Sequence, residues 1–276
     1  MPGDGYWLRA DPVHLQVNRD QLILGDSSTF PISLAEAVDL SATLNAHFAD
    51  RDRVFEAVNP RRWYLRLPAA PDLQCTPLSA AAGKNIDPLL PTGTEARRFR
   101  VLINEAQMLL FDHPVNQKRE AEGYAPVNSI WLWGGGRMPA LQRPPIATVW
   151  TKEPVSWSLA TVSTVPVADL PANAGAWLRE AHGKSAAKEP GEHLVVVDHL
   201  PAALQYGDSR AWQQVLQKLE EDWFTPLLFA LRKGRIGQLA LTGFGEQRTI
   251  SATATRSGLW KFWRTARPLS GLLGGA

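Results

Sequence analysis

The sequence predicts an α/β protein. Its second half runs in β-α-β order, with short apolar strands separated by amphipathic helices, which implies a parallel sheet covered on both faces. Of its 276 residues, 45% are hydrophobic and 20% charged, which is ordinary for a globular chain. It also carries 11 tryptophans. Trp131 and Trp133 lie in an apolar run and Trp212 and Trp223 in a helix, where rings of that size pack between a sheet and its helices.

Residues 6–9 and 13–17 read as two short strands, and Leu22-Ile23-Leu24 as a third apolar run. In residues 33–50, Leu34, Val38, Leu44 and Phe48 recur at a helical period. Ser33 is the N-cap there, with Glu36 three residues on. Residues 63–67 (WYLRL) read as a strand, and residues 68–91, rich in Pro, Ala and Gly, as loop. A second helix covers residues 94–112, with Phe99, Leu102, Ile103, Ala106, Leu109 and Leu110 as its buried stripe; Pro114 ends or breaks it. Residues 126–136 form an apolar strand running into three glycines. After a linker at 142–145, residues 146–150, 194–197 and 238–242 read as strands, 169–182 and 209–233 as helices, and 249–256 as an edge strand. Two domains are expected, residues 1–140 and 141–276.

A formal charge of +2, from 29 basic and 27 acidic residues, gives no field strong enough to argue for nucleic acid or membrane. Any such case rests on local clusters. Cys75 is the only cysteine, so no disulfide forms within the chain and no thiolate metal cage is available; this fits a cytoplasmic location. No apolar stretch approaches the roughly 20 residues that span a bilayer.

Residues 113–136 (HPVNQKREAEGYAPVNSIWLWGGG) resemble the archaeal-type cofactor-independent phosphoglycerate mutases, which carry a similar run of His-Pro-x-Asn, Arg, Gly, Pro-x-Asn and a strand ending in Gly-x-Gly. The likeness extends to residues 102–108 (LINEAQM), 7–11 (WLRAD) and Asp87-Pro88, covering residues 6–138. It is strongest with a bacterial offshoot of these mutases, labelled a phosphoglycerate mutase or a regulatory protein of the pathogenicity-factor type. The resemblance implies the alkaline-phosphatase superfamily, in which two metal ions flank a Ser or Thr nucleophile and are held by Asp and His at strand ends. The implied fold is a remodelled alkaline-phosphatase-like sheet with a second, smaller α+β domain at the amino side.

Several of the implied parts are expected to be absent. No Gly-rich nucleophile segment precedes the resemblance, and Ala203, Leu204 and Gln205 stand where a ligand histidine is implied. Gly243 and Phe244 follow the strand that the family ends with a metal-binding Asp-His. Asp198 and His199 at the end of an apolar strand, with Asp208, are the remaining metal candidates. The plainer reading of Asp198 and His199 is a loop cap and a surface hydrogen bond. The expectation is a chain without a cofactor, the alternative a divalent metal such as manganese.

His113, Asn116, Arg119, Asn128 and Arg137, with Arg9 as a partner, are the candidate ligand-binding residues. The resemblance places this region over the metal site, against a phosphorylated substrate. Arg and Asn suit a phosphate or carboxylate, but Asn and Pro at these spacings equally form turns with side-chain to backbone bonds. The three glycines and Arg137 suit an anion cradle, or simply a tight strand end; no Gly-Lys-Ser/Thr follows, so this is not a P-loop. A basic, aromatic tail (Arg256, Trp260, Lys261, Phe262, Trp263, Arg264, Arg267) suits a nucleic acid, a membrane surface or a protein partner, or docks on its own domain.

The leading expectation is a non-catalytic relative of the mutases that binds a phosphorylated or acidic small molecule in a regulatory role. The alternatives are a working metal-dependent mutase or phosphoesterase, and a binding module acting through the tail.

Overall fold

Pro12 decides how the first strand is shared. It lacks an N–H, yet it lies within one long strand, β1 (Tyr6–Asn18), where two short strands were expected. The computed structural model, which describes residues 5–48, 53–184, 191–197, 209–244 and 249–260, shows why. β1 pairs with β4 (Arg62–Leu67) as far as Arg9 and with β2 (Gln21–Asp26) from Val13 onward. Pro12 falls between those two ladders, where neither asks it for a donor.

The chain divides into two units, the first with residues 5–141 and 209 and the second with 142–197 and 210–260 of those described. The first is α+β. It was expected to be the smaller unit and is the larger by residue count. Its five strands are antiparallel: β2, β1, β4 and β3 (Val54–Asn59) in that order, with β5 (Ser129–Gly136) also on β1. Alternation along β1 sends Leu8 and Ala10 to one face and Val13 and Leu15 to the other.

The Leu8 face packs on α1 (Leu34–Phe48) and α3 (Ala96–Phe111) through Leu40, Leu44, Phe48, Phe99, Leu102 and Leu110, all fully buried. Each such side chain contributes roughly 1.5–3 kcal/mol. The buried stripe of α1 is rotated from the expected one: Ala37, Leu40 and Ser41 are inside, while Leu34 and Val38 are about half exposed. The N-terminus of α1 is held by the expected capping box. Glu36 N–H donates to Ser33 Oγ at 3.2 Å, and Ser33 N–H donates to Glu36 Oε2 at 2.7 Å. On the other face, Val13, Leu15, Leu24 and Trp131 are covered by the stretch that was read as loop. It contains the short helix α2 (Leu78–Ala81) and a 3₁₀ turn at Asp87–Leu89.

Pro114 both ends one helix and starts another. His113 is the N-cap of α4 (Pro114–Ala121), and proline at N1 costs no hydrogen bond.

The second unit has the expected parallel pairing only in part. β6 (Ile146–Trp150) lies between β7 (Val167–Ala168) and β8 (Glu192–Val195), parallel to both. Helices α5 (Pro154–Val162) and α6 (Ala174–Lys184) follow β6 and β7. The expected third buried strand, β9 (Gln238–Phe244), instead forms an antiparallel hairpin with β10 (Thr249–Thr255). It is exposed, Phe244 at 84%.

The long helix expected at 209–233 is α7 (Ser209–Leu219) and α8 (Thr225–Arg232), joined by a π-helical turn at Glu220–Phe224. Pro226 has no N–H for the Asp222 carbonyl four residues back, so the ladder widens before it. Among the described residues, no helix is long and apolar enough to cross a membrane.

Candidate functional site

The recognised polar stretch folds into a knot whose atoms bond mainly to backbone. Asn116, 1% exposed, spends its whole amide: Nδ2 donates to the carbonyls of Leu110 (2.7 Å) and Val127 (2.9 Å), and Oδ1 accepts from Val127 N–H (2.8 Å). Arg119 donates to the carbonyls of Ala125 and Pro31 and pairs with Glu36 at 2.8 Å. Burial opposes the Glu36 carboxylate, but Ser33 and Arg119 outweigh it and hold its pKa below the usual range. Asn128 works as a one-residue extension of β5. Its amide accepts from Leu15 N–H at 2.7 Å and donates to Leu15 O at 2.9 Å, as a strand partner would.

His113 Nδ1 accepts from Val115 N–H, which leaves Nε2–H to donate to Thr43 Oγ1 at 2.9 Å. Burial lowers its pKa against the opposing charge of Asp39, so the neutral ring that these bonds require is the favoured form. Thus His113, Asn116, Arg119 and Asn128 join α1, α3, α4, β1 and β5. Of the two readings of this stretch, the geometry fits the side-chain to backbone one.

Arg9 belongs to a different cluster. Its guanidinium makes a bidentate pair with fully buried Asp11, Nε donating to Oδ1 at 3.1 Å and Nη2 to Oδ2 at 2.7 Å, and lies 5.3 Å from the Tyr64 ring centroid and 4.9 Å from that of Trp133. Trp133 Nε1–H and Trp63 N–H also donate to Asp11. Burial nonetheless raises the Asp11 pKa. Arg137 is exposed just beyond β5.

The three glycines continue β5 rather than opening a helix. Gly134 has φ +58°, where β5 shifts register between Trp7 and Arg9, and a Cβ on Gly135 would collide with the Tyr6 hydroxyl. Cys75 is a poor nucleophile, because burial pushes its pKa up to about 11.

The sequence reading missed a cavity. It is a hollow of about 360 Å³, largely open to solvent, at the start of α3, lined by Arg53, Thr94, Glu95, Arg97, Arg98 and Val101. Arg53 is buried and lies over the Phe48 ring, and Arg98 pairs with Glu95 at 2.9 Å. Among the described residues that line it, Arg97 and Arg98 lie with Glu95 beside the positive end of a 16-residue helix. One signal was legible in the sequence: two arginines in a first helical turn oppose the dipole, unless an anion offsets them.

Asp198, His199 and Asp208 lie outside the described residues, as do Lys261 to Arg267 of the tail. Among the described residues, no three His, Cys, Asp or Glu side chains come together. At the end of β9, Gly243 and Phe244 carry no donor side chain. The described residues at this position therefore do not fit a metal-binding pair.

No family model matches the chain. About half of it is similar to curated enzymes: 36% identical over 143 residues to a 2,3-bisphosphoglycerate-independent phosphoglycerate mutase of Methanosarcina barkeri, 31% over 134 residues to a probable one of Geobacter sulfurreducens, and 34% over 142 residues to that of Methanosarcina mazei. These alignments cover 49%, 48% and 49% of this chain and 35%, 34% and 35% of the relatives, so the likeness spans about a third of those enzymes. The structure of the cofactor-independent phosphoglycerate mutase from Thermoplasma acidophilum superposes over 91% of this chain and 67% of that one, at 15% identity and a TM-score of 0.38, too loose to carry an argument. A relationship to these mutases therefore stands. It corrects the expectation of a chain without a cofactor: the curated relatives belong to the enzymes whose resemblance implies a metal pair, and that expectation is withdrawn.

Proposed function

We propose that the chain is a relative of cofactor-independent phosphoglycerate mutase that binds a phosphorylated or acidic small molecule in a regulatory role, without carrying out the mutase reaction. The cavity at the start of α3 carries the binding half of this reading. Arg97 and Arg98 present positive charge at an open hollow of about 360 Å³, which Arg53 also lines. An anion there accepts charge-assisted hydrogen bonds from Arg97 and offsets a cation that opposes the helix dipole. The non-catalytic half is supported by the chemistry of Gly243 and Phe244, which stand where the resemblance implies an Asp-His pair.

Calorimetry on the full chain with 3-phosphoglycerate tests the binding half. Binding is expected, and Arg97→Ala should weaken it about tenfold, close to the loss of one charge-assisted hydrogen bond. No binding of 3-phosphoglycerate or related phosphorylated acids removes that half. An assay for interconversion of 3- and 2-phosphoglycerate with added manganese tests the other. Turnover that is lost in Asp198→Ala would install the active, metal-dependent reading instead.

A further inference from the structure

Helix α3 carries apolar residues on two opposite faces. One face packs into the first unit's core through Phe99, Leu102, Ala106 and Leu110. On the other, Arg97, Val101, Asn104, Met108 and Phe111 recur at alternating steps of four and three residues, and all five are exposed, Met108 at 78% and Phe111 at 75%. That spacing keeps side chains in one seam along a helix, as the a and d positions of a coiled coil do. The core of the first unit is closed without Val101, Met108 and Phe111, so folding of the unit gives no reason for apolar side chains there.

The seam is self-complementary when a second α3 is laid against it antiparallel. Its pattern is nearly symmetric about Asn104, with Val101 and Met108 on either side and Arg97 and Phe111 beyond them. A two-fold axis at Asn104 therefore sets Val101 of each copy against Met108 of the other and lets the two Asn104 amides bond together. A polar residue within an apolar seam fixes register in this way.

The charges point to the same arrangement. Arg97 at the start of α3 and Asp112 just past its end are exposed, and among the described residues neither side chain has an ion-pair partner. The other charges of the helix are engaged inside the unit: Arg98 with Glu95, Arg100 with the Pro91 carbonyl and Glu105 with His47. Antiparallel packing brings Arg97 of each copy to Asp112 of the other, at both ends of the seam, and opposes the two helix dipoles. A parallel pair would set like charges together.

We propose that the chain forms a two-fold dimer through α3, with Val101, Met108 and Phe111 as its apolar seam, Asn104 at the axis and Arg97–Asp112 pairs at the ends. A helix of 16 residues is about 24 Å long, so the contact is at the small end of specific interfaces and the dimer is a weak one. The proposal does not depend on anion binding in the hollow. Arg97 belongs to both, so the association is measured in buffer free of phosphate and phosphorylated acids.

Sedimentation equilibrium on the full chain, from about 5 to 500 μM, tests it. A monomer–dimer equilibrium is expected, with a Kd on the order of 10–100 μM. Met108→Glu and Phe111→Glu should each weaken it at least about tenfold. Both positions are exposed, so the variants keep the fold, which circular dichroism checks. Arg97→Glu and Asp112→Arg should each weaken it about tenfold, and the double variant, which restores opposite charges across the axis, should recover most of that loss. A monomer at every concentration overturns the proposal. So does a dimer that Met108→Glu and Phe111→Glu leave unchanged, since the copies then meet elsewhere, as at the exposed β9–β10 hairpin. A double charge variant that dimerises no better than the single ones excludes the antiparallel pairing, and the proposal with it.

Discussion

Asn116, Arg119 and Asn128 are polar residues that recognise backbone. Each is the right length to reach a carbonyl or N–H that the local chain leaves without a partner, and burial makes those bonds costly to lose. His113 adds a pH dependence to the same knot. Burial lowers its pKa, so the folded state favours the neutral ring, and its stabilisation is fully present above the unfolded value of about 6.5. It is lost as the pH falls through the lower, folded value, when Nδ1 takes a proton and can no longer accept from Val115. The melting temperature should therefore drop more between about pH 7 and 5 in the native chain than in His113→Asn, whose amide still caps α4 without titrating in that range. Equal slopes in the two proteins would mean that His113 is not the group responsible.

Among the elements, β5 shows the most local constraint. Its register shift against β1 needs a left-handed residue at Gly134 and a residue without Cβ at Gly135, above Tyr6 and Leu8. Gly135→Ala should destabilise the protein by about 1–3 kcal/mol through overpacking. Adding Tyr6→Phe should recover part of that loss, because it removes the nearest atom, the Tyr6 hydroxyl. Urea denaturation of the single and double variants measures both effects, and an undisturbed midpoint in Gly135→Ala would show that the strand end yields. The helices follow simpler rules. The Ser33 and Glu36 box was legible because capping is local, whereas the burial of α1 was not: the period identifies a helix, but Ala37 and Ser41 face inward because β3 lies on that side.

For the whole molecule, the first unit has its own sheet and two buried clusters, drawn entirely from residues 8–132. A chain of about 140 residues buries enough surface to fold alone. Residues 1–141 expressed by themselves should thus melt in one cooperative transition, followed by circular dichroism, and a broad, non-cooperative loss of signal would count against an independent unit. The amino-acid sequence by itself determined the mixed α/β class, most helices and strands, the capping box and the relationship to the mutases, because periodicity, caps and a long motif are written in neighbouring residues. Tertiary structure alone decided what the polar residues do. Whether Asn116 holds a ligand or Val127, whether Arg53 joins Arg97 and Arg98 around one cavity, and whether β9 is buried or paired with β10 depend on which distant segments meet. A side chain's hydrogen-bonding capacity is the same in all these settings, and only the packed neighbours spend it.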